Sequence, residues 1–314
     1  MHHARKITSQ ARVLGFNTIC RPGLIAPLLL SCLLTLLSAL PAFAGNARLN
    51  TGIAGLKGLK PPFTFVVVGD NRSGTDTYGR IVNMITKDNP SFVVNTGDVT
   101  WSRGNGRKWA EFVELSKPLK MPYFIAPGNH EIGNSDDEQF FRENAAEPGN
   151  GLYYSFVAGN ALFVVLDSEQ PGLKSRIDGA QLEWLEGVLK ESKEKFKFVF
   201  VHRPLYPDRN IGRHYSDSLN KYPASRDRLQ ALFREYNVDV VFAGHEHLYQ
   251  KQIKDGVVHV ITGGGGAPLY APDEKGGFHH YIKVTIDRDK AEFDVIDLGR
   301  RTRDSLGITK GKTK

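Results

Sequence analysis

Cysteine is almost absent from this 314-residue sequence, and its two copies, Cys20 and Cys32, both lie close to the N-terminus. The rest of the chain therefore has no disulfide and no thiolate to offer a metal ion. Tracts rich in histidine are absent too, which argues against a metal carrier with an exposed, ligand-rich segment. Because neither an internal repeat nor an interdomain linker is apparent, the sequence predicts a single domain.

Acidic residues are absent from the first 44 positions, which hold four basic side chains instead, Arg5, Lys6, Arg12 and Arg21. An apolar run over residues 24–40 follows, and the chain then reads Pro41-Ala42-Phe43-Ala44, a small-x-small pattern. This order predicts a secretory signal in residues 1–44 that is cut between Ala44 and Gly45. A retained membrane anchor is the alternative, but a run of about 17 residues is near the lower limit for spanning a bilayer.

Positive charge is concentrated in that signal, so its removal changes the charge balance of the protein. The full chain carries 41 Lys and Arg against 34 Asp and Glu, a net charge of +7. Without the four basic residues of the signal the count is 37 against 34, a net charge of +3. So small an excess gives no strong indication of nucleic-acid binding. We therefore expect an exported protein, periplasmic or secreted, without a stable membrane span; the sequence leaves the oligomeric state open.

Short apolar runs of the kind found in strands covered on both faces recur along the chain. They occupy residues 63–68, 91–95, 123–126, 162–166, 198–201 and 238–242. Helical spacing of apolar residues is found between them, at residues 77–88, 107–117, 178–193 and 225–236. Asp178 and Gln181 have the spacing of a capping box at the start of the third helix. Strands that alternate with helices predict an α/β fold.

Beyond residue 247 the pattern contains strands only. The runs cover residues 249–253, 257–262, 280–286 and 291–297. Residues 45–61 are rich in Gly, Asn and Lys and are interpreted as a loose lead-in. Residues 299–314 are basic and polar, which predicts a frayed tail, so the folded domain is expected to cover residues 62–298.

Nearly every predicted strand ends at a polar residue whose side chain is able to bind a metal ion. These residues are Asp70, Asp98, Asn129, His202, His245 and His247. Because the carboxyl ends of strands in an α/β sheet face one crevice, we expect these side chains to converge. Oxygen and imidazole donors suit Zn, Fe or Mn. A single Gly-Asp turn is common in any protein, so the prediction depends on the joint occurrence of all six.

The order of these motifs resembles that of the calcineurin-like metallophosphoesterases. The resemblance is carried by Gly69-Asp70, Gly97-Asp98, Gly128-Asn129-His130-Glu131, His202 and Gly244-His245-Glu246-His247. Residues 202–206 and the glycine run at 262–267 are similar to the purple acid phosphatase-like branch. The resemblance covers about residues 62–298 and implies a metallophosphoesterase-type ββ sandwich flanked by helices, a four-layer α/β/β/α fold.

The resemblance also implies two divalent or trivalent metal ions (Fe, Mn or Zn) with divided ligands. Asp98 would bridge the ions, and Asp70 and His247 would complete the first site. The second site would be completed by three further side chains, Asn129, His202 and His245. His130 would act on the leaving-group oxygen as an acid or hydrogen-bond donor. The implied reaction is in-line attack on phosphorus by a metal-bound hydroxide.

Arg72 departs from the pattern of the family. The first motif is commonly Asp-x-His, with the His as a ligand of the first metal, whereas this chain reads Asp70-Asn71-Arg72. The acid phosphatases instead place a Tyr three residues after the second Asp, where this chain has Trp101, which cannot ligate. The first site is therefore short of one protein ligand. A guanidinium is able to clamp a phosphate, so Arg72 either contacts the substrate or pairs with a neighbouring Asp.

The polar loop 203–224 and the glycine run are weaker candidates. The loop contains Tyr206 and His214, and it could shape substrate access or form plain solvated surface. The candidate substrate-binding residues are thus Arg72, Asn129, Tyr206 and His214. The run Gly263–Gly266 is expected to form a tight backbone bend near the site rather than a phosphate cradle.

Taken with the resemblance, the sequence predicts an exported metal-dependent phosphoester hydrolase that acts on a small phosphorylated substrate. A phosphomonoester is the first choice, and a phosphodiesterase or nucleotidase is the alternative, because fold and motif do not separate them. A non-catalytic scaffold on a degenerate fold is the other class. The absent first-motif histidine is the only support for a scaffold, which would need none of the other ligands.

Overall fold

The structure is a computed structural model that describes residues 49–311. The predicted signal peptide, its cleavage site and the first residues of the lead-in lie outside this range. Within it, no helix combines the length and the hydropathy that a membrane span requires.

Twelve strands and five α-helices are found within residues 49–311. The strands are β1 (Phe63–Val68), β2 (Phe92–Asn95), β3 (Tyr123–Ile125), β4 (Tyr154–Ala158), β5 (Ala161–Leu166), β6 (Phe196–Val201), β7 (Val240–Ala243), β8 (Tyr249–Lys254), β9 (Val257–Thr262), β10 (His280–Asp287), β11 (Lys290–Asp297) and β12 (Thr302–Thr309). The helices are α1 (Thr75–Asp88), α2 (Gly106–Ser116), α3 (Ser135–Ala145), α4 (Gly179–Glu191) and α5 (Pro223–Glu235). Short 3₁₀ turns occur at Leu56–Gly58, Tyr215–Asp217, Leu219–Lys221 and Asp273–Lys275.

The strands form two six-stranded sheets. One has the order β12-β11-β10-β1-β2-β3 and the other the order β4-β5-β6-β7-β9-β8. Strands β1, β2 and β3 run parallel to one another. Strands β5, β6, β7 and β9 do the same in the second sheet. In each sheet, the carboxyl ends of several strands therefore lie at the same edge.

Phenylalanine rings fill the space between the two sheets. Phe65 of β1 and Phe92 of β2 both stand edge-on to Phe163 of β5, with ring centroids 5.0 Å apart in each pair. All three rings are fully buried. Truncation of one such ring to alanine typically costs about 3–5 kcal/mol, so this layer contributes strongly to stability.

Helices cover the outer face of each sheet. Helices α1, α2 and α3 pack on the first sheet, and α4 and α5 pack on the second. The layer order is therefore α/β/β/α, as predicted. Four of the helices lie within two residues of the predicted bounds, because their apolar residues follow the helical period.

Helix α3 and the capping of α4 differ from the predictions. Helix α3 was not predicted because its apolar residues are few, yet Asn134 caps it with a full capping box to Asp137. Asp178 does precede α4, but its side chain makes no cap hydrogen bond. The predicted partner Gln181 is instead buried, and its amide binds both the N–H and the C=O of Asp167. The capping-box prediction for α4 was therefore wrong.

The predicted frayed tail is also wrong, because residues 302–309 form strand β12 on the edge of the first sheet. It pairs antiparallel with β11, and Leu306 and Ile308 pack against the inter-sheet core. The basic side chains are neutralised locally: Arg301 lies 2.7 Å from Asp297, and Arg303 pairs with Asp273. A stretch with only two apolar residues among polar and charged ones carries little strand signal, so the sequence pattern concealed it.

Hydrogen exchange provides a test of β12. We expect the amides of residues 302–309 that bond to β11 to exchange at least about 100-fold more slowly than an unstructured chain, which needs a local opening free energy of ~3 kcal/mol. Residues 292–296 of β11 serve as the internal reference. Complete exchange of 302–309 at the rate of a free peptide, with β11 still protected, would contradict the assignment.

Candidate metal centre

Both sheets direct their parallel strands toward one edge, where the predicted ligands meet. Asp70 follows β1, Asp98 follows β2 and Asn129 follows β3. Two further positions come from the second sheet, His202 after β6 and the pair His245 and His247 after β7. The predicted convergence of the six residues is therefore seen in the structure.

The backbone at three of these positions is held in a conformation that most residues avoid. Asp70, Asp98 and His245 have φ angles of 55°, 56° and 70°, in the left-handed region. Each such residue typically costs about 1–3 kcal/mol and persists only where the surroundings enforce it. Hydrogen bonds provide that enforcement: the Asp70 N–H donates to Gly97, and the His245 N–H donates to the Asp70 carboxylate.

One set of donor atoms comes from Asp70, Asp98 and His247, whose ligand atoms all lie within 4.8 Å of one another and are buried. The Nδ1 of His247 lies 2.8 Å from the carbonyl of Pro268 and donates to it. The lone pair of Nε2 therefore faces Asp70, at 3.6 Å from Oδ1. These are the residues that the sequence assigned to the first metal.

A second set of donor atoms surrounds Nε2 of His202. This nitrogen lies 3.1 Å from Asn129 Oδ1, 3.2 Å from His245 Nδ1 and 3.3 Å from Asp98 Oδ1. Because His202 Nδ1 donates to the carbonyl of Thr96 at 2.9 Å, the neutral ring has only a lone pair on Nε2. The lone pair of Nε2 thus faces the oxygen acceptors of Asn129 and Asp98, an arrangement that a shared cation satisfies. The residues present fit a metal ion.

Burial keeps the three imidazoles in their metal-binding form. It lowers the pKa of His202, lowers that of His245 well below its ordinary value, and lowers that of His247 to about 4. All three rings are therefore neutral near pH 7, and each keeps one nitrogen with a lone pair, the form in which imidazole binds a metal ion.

The pKa values of the two carboxylates, Asp70 and Asp98, are shifted in opposite directions. Burial acts to raise the pKa of Asp98, but electrostatic interactions with His202, His130 and Arg72 outweigh it and lower the value to about 2. Burial first, and then the charge of Asp98, raise the pKa of Asp70 well above its usual range. Two buried carboxylates so close together do not both ionise easily without a positive charge between them. The arrangement favours a cation beside Asp70.

Arg72 supplies part of that positive charge. Its Nε lies 3.1 Å from Asp98 Oδ2, and NH2 lies 3.3 Å from His247 Nε2. Of the two alternatives that the sequence left open, pairing with a neighbouring Asp is therefore realised. Two of the five N–H donors of the guanidinium face these residues, which leaves others for a phosphate.

His130 and His214 lie on the open side of the cluster. His130 Nδ1 is 3.2 Å from the carbonyl of Trp101, and its Nε2 is 4.0 Å from Asp98 Oδ2. The ring of His214 lies 4.8 Å from that of His245 and 6.4 Å from that of His247. Loop 203–224 therefore does bring a predicted residue to the site.

The prediction for Tyr206 was wrong, whereas the prediction for the glycine run is confirmed. The structure does not bring Tyr206 to the cluster: its ring packs edge-on against His259 at 5.0 Å, beneath the guanidinium of Arg226. The glycine run is a backbone bend, as expected, since the N–H groups of Gly265 and Ala267 donate to the carbonyls after β1, Gly69 and Asp70.

Buried acids that the motifs did not single out support the ligands. Glu131 accepts from the N–H groups of Asp98, Thr100 and Gly128, at 2.8–3.0 Å. Glu246 accepts from the N–H groups of Arg213 and His214, at 2.8 Å each, and from the hydroxyl of Tyr270.

A buried ion pair stands behind His245. The guanidinium of Arg203 pairs with Glu169, with Nε 2.6 Å from Oε1, and its NH1 lies 3.2 Å from His245 Nε2. Neither side chain of the pair is exposed to solvent. In the sequence, Glu169 and Arg203 stand out only by their positions after the ends of β5 and β6. That signal is too weak to identify a supporting role.

The four-layer fold and the divided donor cluster define a metallophosphoesterase architecture. The sequence profile of the calcineurin-like phosphoesterases matches residues 63–249, more than half of the chain, and the protein belongs to that family. A purple acid phosphatase from yellow lupin (Lupinus luteus) seeds has a similar structure, with a TM-score of 0.67 over 82% of this chain and 55% of that one. At 22% identity this likeness shows the fold alone.

Curated relatives include active and inactive proteins by name. Purple acid phosphatase 23 of Arabidopsis thaliana is 26% identical over 260 residues, which cover 65% of this chain and 53% of the relative. The Arabidopsis thaliana protein called "Probable inactive purple acid phosphatase 27" is also 26% identical, over 65% of this chain and 41% of the relative. The chain spans about half the length of these relatives.

Gly244 allows a test of the close packing at the cluster. A Cβ at this position would lie 2.3 Å from Asp70 Oδ2, so Gly244→Ala must displace a candidate ligand. We expect the variant to fold but to bind at least tenfold less metal at limiting concentration, as measured by titration with Mn²⁺. Gly187→Ala, in α4 with no atom within 4 Å of the new Cβ, is the matched control and should bind as the unchanged protein does. Equal metal binding by both variants would contradict this packing.

Proposed function

We propose that this protein is an exported metal-dependent phosphoester hydrolase with a small phosphomonoester as its substrate. The observation that carries the proposal is the convergence of Asp98, Asn129 and His245 on Nε2 of His202, beside a second set at Asp70 and His247. A bound cation would satisfy the lone pair of His202 Nε2 together with the two oxygen acceptors that face it.

Each set of donors has a defined task in the proposed reaction. Asp98, Asn129, His202 and His245 would hold one ion, and Asp70, Asp98 and His247 would hold the other. When bound, such ions polarise the phosphoryl group and lower the pKa of water. Arg72 would bind a non-bridging phosphate oxygen through its remaining N–H groups.

Proton transfer to the leaving group falls to His130 in this proposal. Its Nδ1 is occupied by the Trp101 carbonyl, so Nε2 is the atom that faces the site. A protonated ring would donate Nε2–H to the departing alkoxide. His214, whose ring lies on that of His245, would border the substrate from the side of loop 203–224.

The proposal of export rests on the sequence of residues 1–44. The proposed substrate class rests on the net charge of the remaining chain. The modest net charge of +3 for residues 45–314 does not favour a nucleic acid, which would need many phosphate contacts. A phosphodiester or a nucleotide remains the alternative substrate on the same site.

Hydrolysis by purified protein tests the proposed function. The protein, stripped of metal and restored separately with Mn, Fe, Zn or Mg, is offered phosphomonoesters and phosphodiesters. We expect hydrolysis with at least one metal, abolished in Asp98→Ala and reduced by a factor of about 10²–10⁴ in kcat in His130→Ala, because a general acid contributes about that much. The control is Asp287→Asn, an exposed residue at the end of β10. Hydrolysis unchanged in both active-site variants would refute the proposal, and a wholly inactive parent with bound metal would indicate a scaffold.

Arg72 determines how many ions are held tightly. Since the guanidinium already lies between Asp98 and His247, we expect one ion per chain to survive dialysis against a chelator. Arg72→His supplies the ligand that the family pattern lacks here and should raise this number to two, as counted by elemental analysis. Arg72→Gln removes the charge but adds no imidazole, so it should lower kcat/KM without reaching two ions. Two tightly held ions in the unchanged protein would argue against this role.

A further inference from the structure

A cavity adjoins the metal centre on the side of Arg72. It measures about 450 Å³ and lies between the loop after β1, the loop after β2 and helix α2. Its floor is apolar, from Val99, Phe112 and Leu115, and Arg72 stands where the cavity meets the cluster. Ligand pockets for small molecules commonly have this size and this mixture of apolar walls with a few polar groups.

Trp101 forms one wall of the cavity and is unusually exposed. The side chain is 52% exposed, whereas Trp109 is buried in the core under α2. The carbonyl of Trp101 accepts from His130 Nδ1 at 3.2 Å, so the indole and the proposed acid are fixed to the same short segment. A large aromatic surface beside a catalytic site, left open to solvent, is well suited to stacking on a flat ligand.

The charges around the indole favour a neutral ring rather than a second anion. Lys108 Nζ lies 5.9 Å from the centroid of the Trp101 ring, but it is already paired with Glu111 at 2.6 Å. Arg72 is likewise paired, with Asp98. The cavity therefore offers apolar and aromatic contact, and Arg72 stands at the end where the phosphate would bind.

We propose that this cavity binds the leaving group of the substrate, and that this leaving group carries a flat aromatic ring stacked on Trp101. The inference rests on the proposed function, because a phosphate held by Arg72 and the metal ligands directs its leaving group past His130 into this space. It narrows the substrate class from small phosphoesters in general to aryl or heteroaryl phosphoesters.

The test compares 1-naphthyl phosphate with glycerol 3-phosphate in the full protein and its variants. Because each ester is compared with itself across variants, the difference in chemical reactivity between the two esters cancels. Trp101→Ala should lower kcat/KM for the naphthyl ester about tenfold more than for the glycerol ester, since stacking contacts contribute on that scale. Trp101→Phe should restore most of the preference. An equal fall for both esters, or no fall, overturns the proposal.

A second variant fills the cavity from its apolar floor. Leu115 is partly buried on α2, and Leu115→Trp should also remove the preference for the naphthyl ester, although the Trp101 indole is retained. Ile253→Ala, an exposed apolar side chain on β8, is the control and should leave the preference unchanged. A preference that persists in Leu115→Trp contradicts the cavity as the binding place.

Calorimetry separates failure of the pocket from failure of the proposed function. 1-Naphthylmethylphosphonate is not hydrolysed, and it should bind at least tenfold more tightly than methylphosphonate in the unchanged protein but not in Trp101→Ala. If no ester is hydrolysed yet this difference is found, the pocket stands and the enzymatic function falls. If esters are hydrolysed yet the two phosphonates bind equally, the pocket alone is refuted.

Discussion

Buried carboxylates that accept backbone N–H groups hold the candidate metal centre in shape. Glu131 joins the loops after β2 and β3, Asp70 holds the turn after β7 through His245, and Glu246 holds the segment that carries His214. Without these hydrogen bonds nothing would offset the left-handed backbone at Asp98 and His245. Glu131 and Glu246, which are not ligands in the proposed site, therefore help Asp70 to determine where the ligands point.

So many buried acids need positive charge nearby, and the chain supplies some of it. Arg72 lies against Asp98, and Arg203 lies against Glu169 behind His245. Arg203 also pairs with Asp217, at 2.9 Å. Asp70, in contrast, has a raised pKa because burial and Asp98 disfavour its charge. In this picture a cation bound at Asp70 completes the charge balance as well as the coordination, which couples metal binding to the stability of the fold.

Much of this could be predicted because the signals were local. Strand β1 is an unbroken apolar run that stops at Gly69-Asp70, and the same pattern recurs at each ligand. Strand β12 could not be predicted, because its stability depends on pairing with β11 and on ion pairs with Asp297 and Asp273. The spacing of apolar residues reveals neither of these interactions. The cavity beside Trp101 could not be predicted either, since it forms only when α2 packs against the loops after β1 and β2.

The two departures from the family pattern meet at one place. Positions 72 and 101, where the resemblance led us to expect a ligand of the first metal, hold Arg72 and Trp101, and both side chains line the same cavity. A histidine or tyrosine ligand at either position would have to turn toward the metals, and so away from that space. In the proposed function, a guanidinium and an indole at these positions would give up coordination strength at the first site and add a phosphate-binding cation and an aromatic wall. The proposed weak first site and the proposed aromatic pocket would thus both follow from the same pair of residues.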